Sequence, residues 1–269
     1  MLEAGAQDAC IPRATYRLQF HAGFTFQDAR ALAPYLARLG VSHVYSSPLL
    51  RARAGSSHGY DIVDHAALNP ELGSAADLDA LLAALRAAGL GLILDVVPNH
   101  MAVLAADNPW WQDVLQHGRD ARHAGYFDID WQPANPDLHG RVMLPLLGEH
   151  YGACLHAGEL RLALDVPRGA FELHYYEHCL PLSPASHAAL CAAAAARCAP
   201  TSPSRVALTG LAAQFEAGAP GAQDALVLGQ RAFAAVLARE PQVHAALDAV
   251  LGAWNGVVGE PASFDALHA

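Results

Sequence analysis

Between Gly89 and His100 the chain reads Gly-Leu-Gly-Leu-Ile-Leu-Asp-Val-Val-Pro-Asn-His. Leu90 to Val97 is too continuously apolar for a half-exposed strand and too short and β-branched for a helix, which predicts a strand buried on both faces. Pro98, without an N–H to donate, ends it. Asp95 breaks the apolar run, and an ionised carboxylate there is costly unless a cation or several donors meet it. Upstream, the alternation from Ala14 to Phe20, bounded by Pro12 and Gly23, predicts a first strand. Thr25 caps a helix with Asp28 in its first turn, and Phe26, Ala29, Leu32, Leu36 and Leu39 form its apolar stripe up to Gly40. Pro34 inside that helix predicts a kink. Val41 to Ser47 reads as a second strand, and the connection from Pro48 to Gly73 is of a length that usually carries function. Ser74 and Asp77 open a second helix with Leu78, Leu81, Leu82 and Leu85 on one face, closed by Gly89. Strand, helix, strand, helix, strand at these spacings means right-handed crossovers and a parallel sheet. In such α/β folds the site forms at the carboxyl ends of the strands, where Asp95, Asn99 and His100 stand.

After His100 the pattern changes. From Met101 to Leu182 the chain is rich in aromatic residues, Pro and His, with strand-like pieces at Arg141–Leu147, Glu159–Asp165 and Phe171–Glu177. The last two read as a hairpin around Pro167-Arg168-Gly169. From Ser183 onward Ala-rich helices follow, broken at Pro200–Ser204, Gly218–Gly221, Pro241 and Gly256–Pro261, with no further buried strand and no internal repeat. Three regions are therefore expected: 1–100 with the strand–helix units, 101–182 as an inserted β-rich subdomain, and 183–269 as a helical segment. The last stripe, Phe264 and Leu267 after the cap Ser263, stops at Ala269 within about two turns, too short for a helix on its own, so the C-terminus reads as cut.

Charge and composition narrow the partners. The net charge of the 269 residues is -10, and all 16 basic residues are Arg without a basic run, which argues against nucleic acid. No uncharged apolar run approaches the ~18 residues of a membrane span, and Met1 to Cys10 lacks the basic and apolar regions of a signal peptide, so a cytoplasmic location is expected. Five cysteines, Cys10, Cys154, Cys179, Cys191 and Cys198, are odd in number and widely spaced, which suits reduced buried thiols better than a disulfide framework or a zinc site. His174 and His178 stand four apart, but on a strand that spacing leaves them distant, and no metal is expected there. His117, His123, His139, His150 and His156 lack ligand spacing. Of Trp110, Trp111, Tyr126, Phe127 and Trp131, most are expected in a small core and one at a sugar-facing cleft.

The motifs Arg13-Ala-Thr-Tyr-Arg-Leu-Gln-Phe20, Pro34-Tyr35-Leu36, Gly40-Val-Ser-His-Val-Tyr-Ser-Ser-Pro48, Ser57-His-Gly-Tyr-Asp61 and Asp95-Val-Val-Pro-Asn-His100 resemble the amino-terminal part of the α-amylase superfamily, glycoside hydrolase family 13. Tyr126-Phe-Asp-Ile-Asp-Trp131 ahead of Arg141-Val-Met-Leu-Pro-Leu-Leu-Gly148 narrows the likeness to its trehalose-forming synthases. The resemblance implies the start of a (β/α)8 TIM barrel whose third βα loop is expanded. It implies that Tyr60 is an aromatic platform for a glucose ring and that His100 donates a hydrogen bond to that sugar. A sugar does present a C–H face that stacks on a ring and a rim of hydroxyls that need polar partners. Asp95 and Asn99 fit either a sugar-binding or an architectural role, and His58 and Asp61 flank Tyr60 and shape its loop.

The implied reaction is an intramolecular transglucosylation: the reducing-end α-1,4 bond of a maltooligosaccharide becomes an α,α-1,1 trehalosyl bond, with no cofactor. Retaining transfer needs two carboxylates roughly 5 to 5.5 Å apart. In the resembled family these follow the fourth and fifth strands, and Asp61 and Asp95 match neither. Nucleophile and general acid are therefore expected beyond Ala269. The chain is expected to be an amino-terminal fragment with part of the sugar site and no catalytic carboxylate. The cation expected beside Asp95 is likewise placed on a fourth strand. Two other readings stand beside this one: an α-glucan hydrolase or glucanotransferase of the same superfamily, and a non-catalytic carbohydrate-binding fragment.

Overall fold

The computed structural model describes residues 11–103, 107–216 and 223–268, in two compact units, one ending at Asn108 and the other beginning at Pro109. Ala269, the position beyond which the nucleophile and general acid are expected, lies outside the described residues. The first unit runs β1 (Thr15–Leu18), α1 (Phe26–Leu39), β2 (His43–Ser46), β3 (Leu50–Ala52), β4 (Ile62–Leu68), a 3-10 turn at Pro70–Leu72, α2 (Ala75–Ala87) and β5 (Gly91–Leu94). β1, β2 and β5 form the expected parallel sheet in that order, with Arg17, Tyr45 and Ile93 aligned across it. Alternation along the strands separates two faces. Leu18, Val44 and Leu92 join Phe20, Phe26, Ala29, Ala33, Leu36, Leu81 and Leu85 in the core beneath the helices. Arg17 and Tyr45 belong to the other face.

Both helices begin where the capping residues stand. The Asp28 carboxylate accepts from the backbone N–H and hydroxyl of Thr25, both at 2.8 Å, and Asp77 does the same for Ser74, whose hydroxyl in turn accepts from the Asp77 N–H at 3.2 Å. α1 closes on Gly40 at φ 86°. A single helix continues across Pro34, and its buried line is Phe26, Ala29, Ala33 and Leu36. Leu39, expected in the stripe, is 50% exposed, because the i, i+4, i+7 line through the small Ala29 and Ala33 is what rests on the sheet.

Two expectations for this unit are corrected. The connection after β2 is not irregular: β3 and β4 pair antiparallel, with Ala52 opposite Ile62 and register shifts on both sides of Arg51. A three-residue, bulged strand shows too little alternation to be read from sequence. The third parallel strand is four residues long instead of eight and is not buried on both faces, since Leu94 is 53% and Val96 62% exposed. β5 pairs only with β2, and among the described residues no strand lies along its other edge.

The second unit contains α3 (Pro109–His117), α4 (Tyr151–His156), β6 (Leu160–Asp165), β7 (Ala170–Tyr175), β8 (His178–Pro181), α5 (Pro184–Arg197), α6 (Pro203–Glu216), α7 (Gln223–Arg239), α8 (Pro241–Trp254) and the short α9 (Asp265–His268). The hairpin around Pro167-Arg168-Gly169 forms as expected, with Asp165 opposite Ala170. Gly169 has φ 60°, and a Cβ there would lie 2.2 Å from the Gln230 carbonyl oxygen of α7, so both conformation and space require glycine. The expected strand Phe171–Glu177 ends instead at Tyr175. Tyr176, at φ 50°, turns the chain into β8. The expected strand Arg141–Leu147 does not form; its apolar residues dock singly, Val142 and Leu144 against the Trp111–Val114–Ala121 cluster. Trp111, Phe127 and Trp131 pack in that cluster, while Tyr126 is 68% exposed and tilts against Trp110, whose ring stacks on His123. Leu162 and Phe171 share one core with α5 to α8, so the residues after Ser183 pack as part of this unit. Cys154 and Cys191 are buried and Cys179 and Cys198 half-buried, all four free thiols; Cys10 lies outside the described residues. Among the described residues no helix is long and apolar enough to cross a membrane.

An exposed parallel edge invites pairing with another chain. Leu94→Lys with Val96→Lys is expected to reduce self-association of this chain in sedimentation velocity; equal association in wild type and variant would show that the edge is inert. Phe233, fully buried between Phe171 at 5.2 Å and Phe215 at 6.3 Å, anchors the second core. Phe233→Ala is expected to cost about 3–5 kcal/mol in urea denaturation.

Candidate functional site

The face of the parallel sheet opposite the helices carries the polar residues. Arg17 and Gln19 are two apart on and just after β1, so both point away from the core that takes Leu18 and Phe20. Tyr45 aligns with Arg17 across the sheet, and Asp95 follows β5, its N–H donating to the Ser46 carbonyl at 3.2 Å. Tyr60 comes from the β3–β4 connection.

Three of these side chains converge on one oxygen of Asp95. Asp95 Oδ2 accepts from Tyr60 Oη at 2.5 Å, from Tyr45 Oη at 3.0 Å and from Arg17 Nη1 at 3.1 Å. Arg17 Nη2 also donates to Tyr60 Oη at 3.0 Å, and the guanidinium lies 4.6 Å from the centre of the Tyr45 ring. Arg17 of β1 is a cation that meets Asp95 within this chain. The Tyr60 hydroxyl, with those of Tyr45 and the Arg17 guanidinium, holds the Asp95 carboxyl below the usual carboxylate range against partial desolvation. The same bond to Asp95 pushes the Tyr60 phenol up.

The loop that delivers Tyr60 is built by Ser57-His-Gly-Tyr-Asp61. The Asp61 carboxylate accepts from Ser56 Oγ at 2.5 Å, and that oxygen accepts from the Gly59 N–H at 3.1 Å. His58 Nδ1 accepts from the Tyr60 N–H at 3.0 Å, its ring stacked at 6.0 Å on that of Tyr60. Gln19 Nε2 donates to the Ser57 and His58 carbonyls at 3.2 and 3.3 Å, fastening the loop to β1. Gly59, at φ 76°, has the Pro48 carbonyl oxygen 2.9 Å from where a Cβ would stand. His58 and Asp61 each bond within this loop.

His100 reaches the same loop, with Nε2 3.2 Å from the Tyr60 carbonyl. A carbonyl only accepts, so Nε2 carries the proton and a neutral ring offers Nδ1 as an acceptor. Asn99 is exposed beyond Pro98 and makes no hydrogen bond among the described residues. Arg17, Tyr45 and Gln19 were not singled out in the sequence. The available signal was two polar residues at alternate positions of an otherwise apolar strand.

Residues 31–148 match the family described as alpha amylase, catalytic domain. A putative maltooligosyl trehalose synthase of Mycobacterium tuberculosis is 49% identical over 140 residues, which is 50% of this chain and 18% of that protein. The structure of maltooligosyltrehalose synthase from Arthrobacter ramosus aligns with a TM-score of 0.55 at 43% identity, covering 63% of this chain and 21% of that one. A further crystal structure of a maltooligosyl trehalose synthase gives 0.58 at 38% identity, covering 64% and 22%. The chain spans about a fifth of the length of these relatives.

Removing one donor from Asp95 tests the network. In carboxylate-resolved NMR titration, Tyr60→Phe is expected to raise the Asp95 midpoint toward the ordinary range more than Tyr45→Phe. Because the folded-state value is depressed, the carboxylate's stabilising contribution is present above the unfolded value, about pH 4, and lost as pH falls through the lowered one. The Tyr60→Phe variant is expected to lose less stability on acidification than wild type.

Proposed function

We infer that this chain, a member of the α-amylase superfamily, supplies the substrate-gripping first part of a maltooligosyltrehalose-forming catalytic domain. Its parallel strands β1, β2 and β5 are the first three strands of a (β/α)8 barrel, and the segment from Met101 to Leu182 is the expanded loop after the third. The helices from Ser183 complete that loop region's core. Cytoplasmic α-1,4-glucan is the substrate, and no nucleic acid or membrane partner is involved. The observation that carries this reading is the Tyr60–Asp95–Arg17 cluster at the carboxyl ends of parallel strands, in a chain whose relatives are synthases.

The chemistry assigned to this chain is binding and orientation. A glucose ring of a maltooligosaccharide stacks its C–H face on Tyr60, whose hydroxyl is tethered to Asp95 and Arg17 and so cannot swing away. His100 and Asn99 meet the hydroxyl rim. The complete enzyme opens the reducing-end α-1,4 bond through a covalent glycosyl intermediate, retains the freed glucose, and closes an α,α-1,1 bond through its anomeric hydroxyl. The two carboxylates that do this are not among Asp61 and Asp95, which are engaged by Ser56 and by the Tyr60–Tyr45–Arg17 donors. Holding the intermediate away from water decides between transfer and hydrolysis.

The test uses a polypeptide carrying this chain together with the remaining barrel strands, incubated with maltopentaose. Reducing ends are expected to disappear without release of free glucose. Stoichiometric glucose or redistributed α-1,4 chain lengths would favour the hydrolase or glucanotransferase reading instead. Tyr60→Ala is expected to weaken maltopentaose binding about tenfold in calorimetric titration, the size of one lost aromatic stacking contact. Tyr60→Phe, which keeps the ring, is expected to retain most of it.

A further inference from the structure

The polar face of the β6–β7–β8 sheet holds a second convergence of side chains that the sugar site does not use. The register sets Arg161 opposite His174 and His174 opposite Cys179, with Glu172 two residues from His174 on β7. Alternation therefore places Glu172, His174 and Cys179 on one face of the β7–β8 hairpin. His178, opposite Tyr175, falls on the other face. The turn at Tyr176 thus separates the two histidines read as a pair in the sequence and sets Cys179 beside His174 in place of His178.

The geometry is specific. His174 Nε2 lies 3.2 Å from Glu172 Oε2 and 3.6 Å from Cys179 Sγ, and one donor atom of each of the three residues lies within 4.8 Å of the other two. Ligands at ~2.0 to 2.3 Å around a tetrahedral ion stand about 3.3 to 3.6 Å apart. A hydrogen-bonded relay fits less well. Carboxylate and thiol meet the same imidazole nitrogen, which has a single in-plane direction for a proton or lone pair, whereas a relay needs the two nitrogens engaged separately. Nor is the thiol a nucleophile, since burial and the neighbouring Glu172 push it up to about 12. Arg168 takes the other carboxylate oxygen, Oε1, at 2.9 Å, fixing the carboxylate plane from outside as partners beyond the ligands commonly do. Glu172 is buried, while the His174 side chain is 42% exposed and lines an open cavity of about 590 Å³ with Arg161 and Tyr176, which gives an ion a path from solvent.

We propose that Glu172 Oε2, His174 Nε2 and Cys179 Sγ form a binding site for a borderline-soft divalent cation of the Zn(II) type. Thiolate, imidazole and carboxylate together select such an ion over Mg(II) or Ca(II), which prefer oxygen alone. Water from the cavity side completes four-coordination. The ion would clip β8 to β7 and so brace the hairpin against its edge. Binding displaces the thiol proton to solvent while the ion takes its place on sulfur, so charge and protons balance without any redox partner.

The probe is Co(II), titrated into the full chain without an affinity tag, followed by Zn(II) competition. A 1:1 complex is expected, with a thiolate-to-cobalt charge-transfer band and the intense visible bands of tetrahedral Co(II). Zn(II) is expected to abolish both and to raise Tm. Cys179→Ser should remove the charge-transfer band, and Cys198→Ser should leave it. Glu172→Gln, checked by circular dichroism for retained fold, should weaken Zn(II) binding by about tenfold or more. Absence of the band with Co(II) in excess would overturn the proposal. So would a band that survives Cys179→Ser.

Discussion

A single carboxylate oxygen fixes the architecture of the first unit. Asp95 Oδ2 draws donors from β1 through Arg17, from β2 through Tyr45 and from the β3–β4 connection through Tyr60. Four segments far apart in sequence are thereby tied at one atom. No alternative register of the parallel sheet preserves all three contacts, since shifting a strand by one residue turns its side chain to the helix face. A carboxylate so placed would be costly without partners; with a guanidinium and two phenols it becomes the residue that selects the arrangement. Parallel pairing alone specifies register less sharply, and among the described residues β5 has one strand neighbour, β2, to guide it.

The same tether gives Tyr60 its usefulness. An aromatic ring on a loop loses rotamer freedom when a ligand stacks on it, and that entropy subtracts from binding. Here the loss is incurred on folding. The hydroxyl is held by Asp95 and Arg17, the backbone by Gln19 and His58, and the turn by Gly59, whose positive φ and closeness to Pro48 leave no room for a side chain. Pinning the edge of the ring, with His58 stacked on one side, leaves the opposite side as the surface for the sugar stacking proposed above.

Much of the first unit was legible because its signals are local. The cap pairs Thr25–Asp28 and Ser74–Asp77, Gly40 after α1, and the β-branched run at Val41–Ser47 each act within a few residues. The Asp95 anomaly was legible as a need for donors, and Tyr60 and His100 do meet in one place. What could not be read was which cation answers Asp95, because Arg17 lies 78 residues away and only strand order brings them together. The exposure of Leu94 and Val96 was hidden for a related reason: apolar composition records what a strand is suited to pack against, and cannot say whether a neighbour is present. In the second unit, Phe171 to Glu177 read as one strand because nothing in residue type announces that Tyr176 will adopt a left-handed conformation. That one turn decides whether His174 faces His178 or Cys179.

Set side by side, the two polar clusters use one device with different outcomes. Each takes alternate positions on adjacent strands in register and aims them at a common point. In the parallel sheet the point is an oxygen, and the chain supplies its own cation, so the cluster is electrically closed. In the antiparallel sheet Arg168 is spent on Glu172 Oε1, and the atoms that converge are an oxygen, a nitrogen and a sulfur. Hydrogen bonds among them leave two donors, the imidazole and the thiol, competing for one carboxylate. A positive centre at that point resolves the competition, and the register that builds it is set by the same hairpin whose Gly169 locks against α7. The turn chemistry of β6–β7 and β7–β8 therefore determines the donor set, much as strand order in the first unit determines which charge answers Asp95.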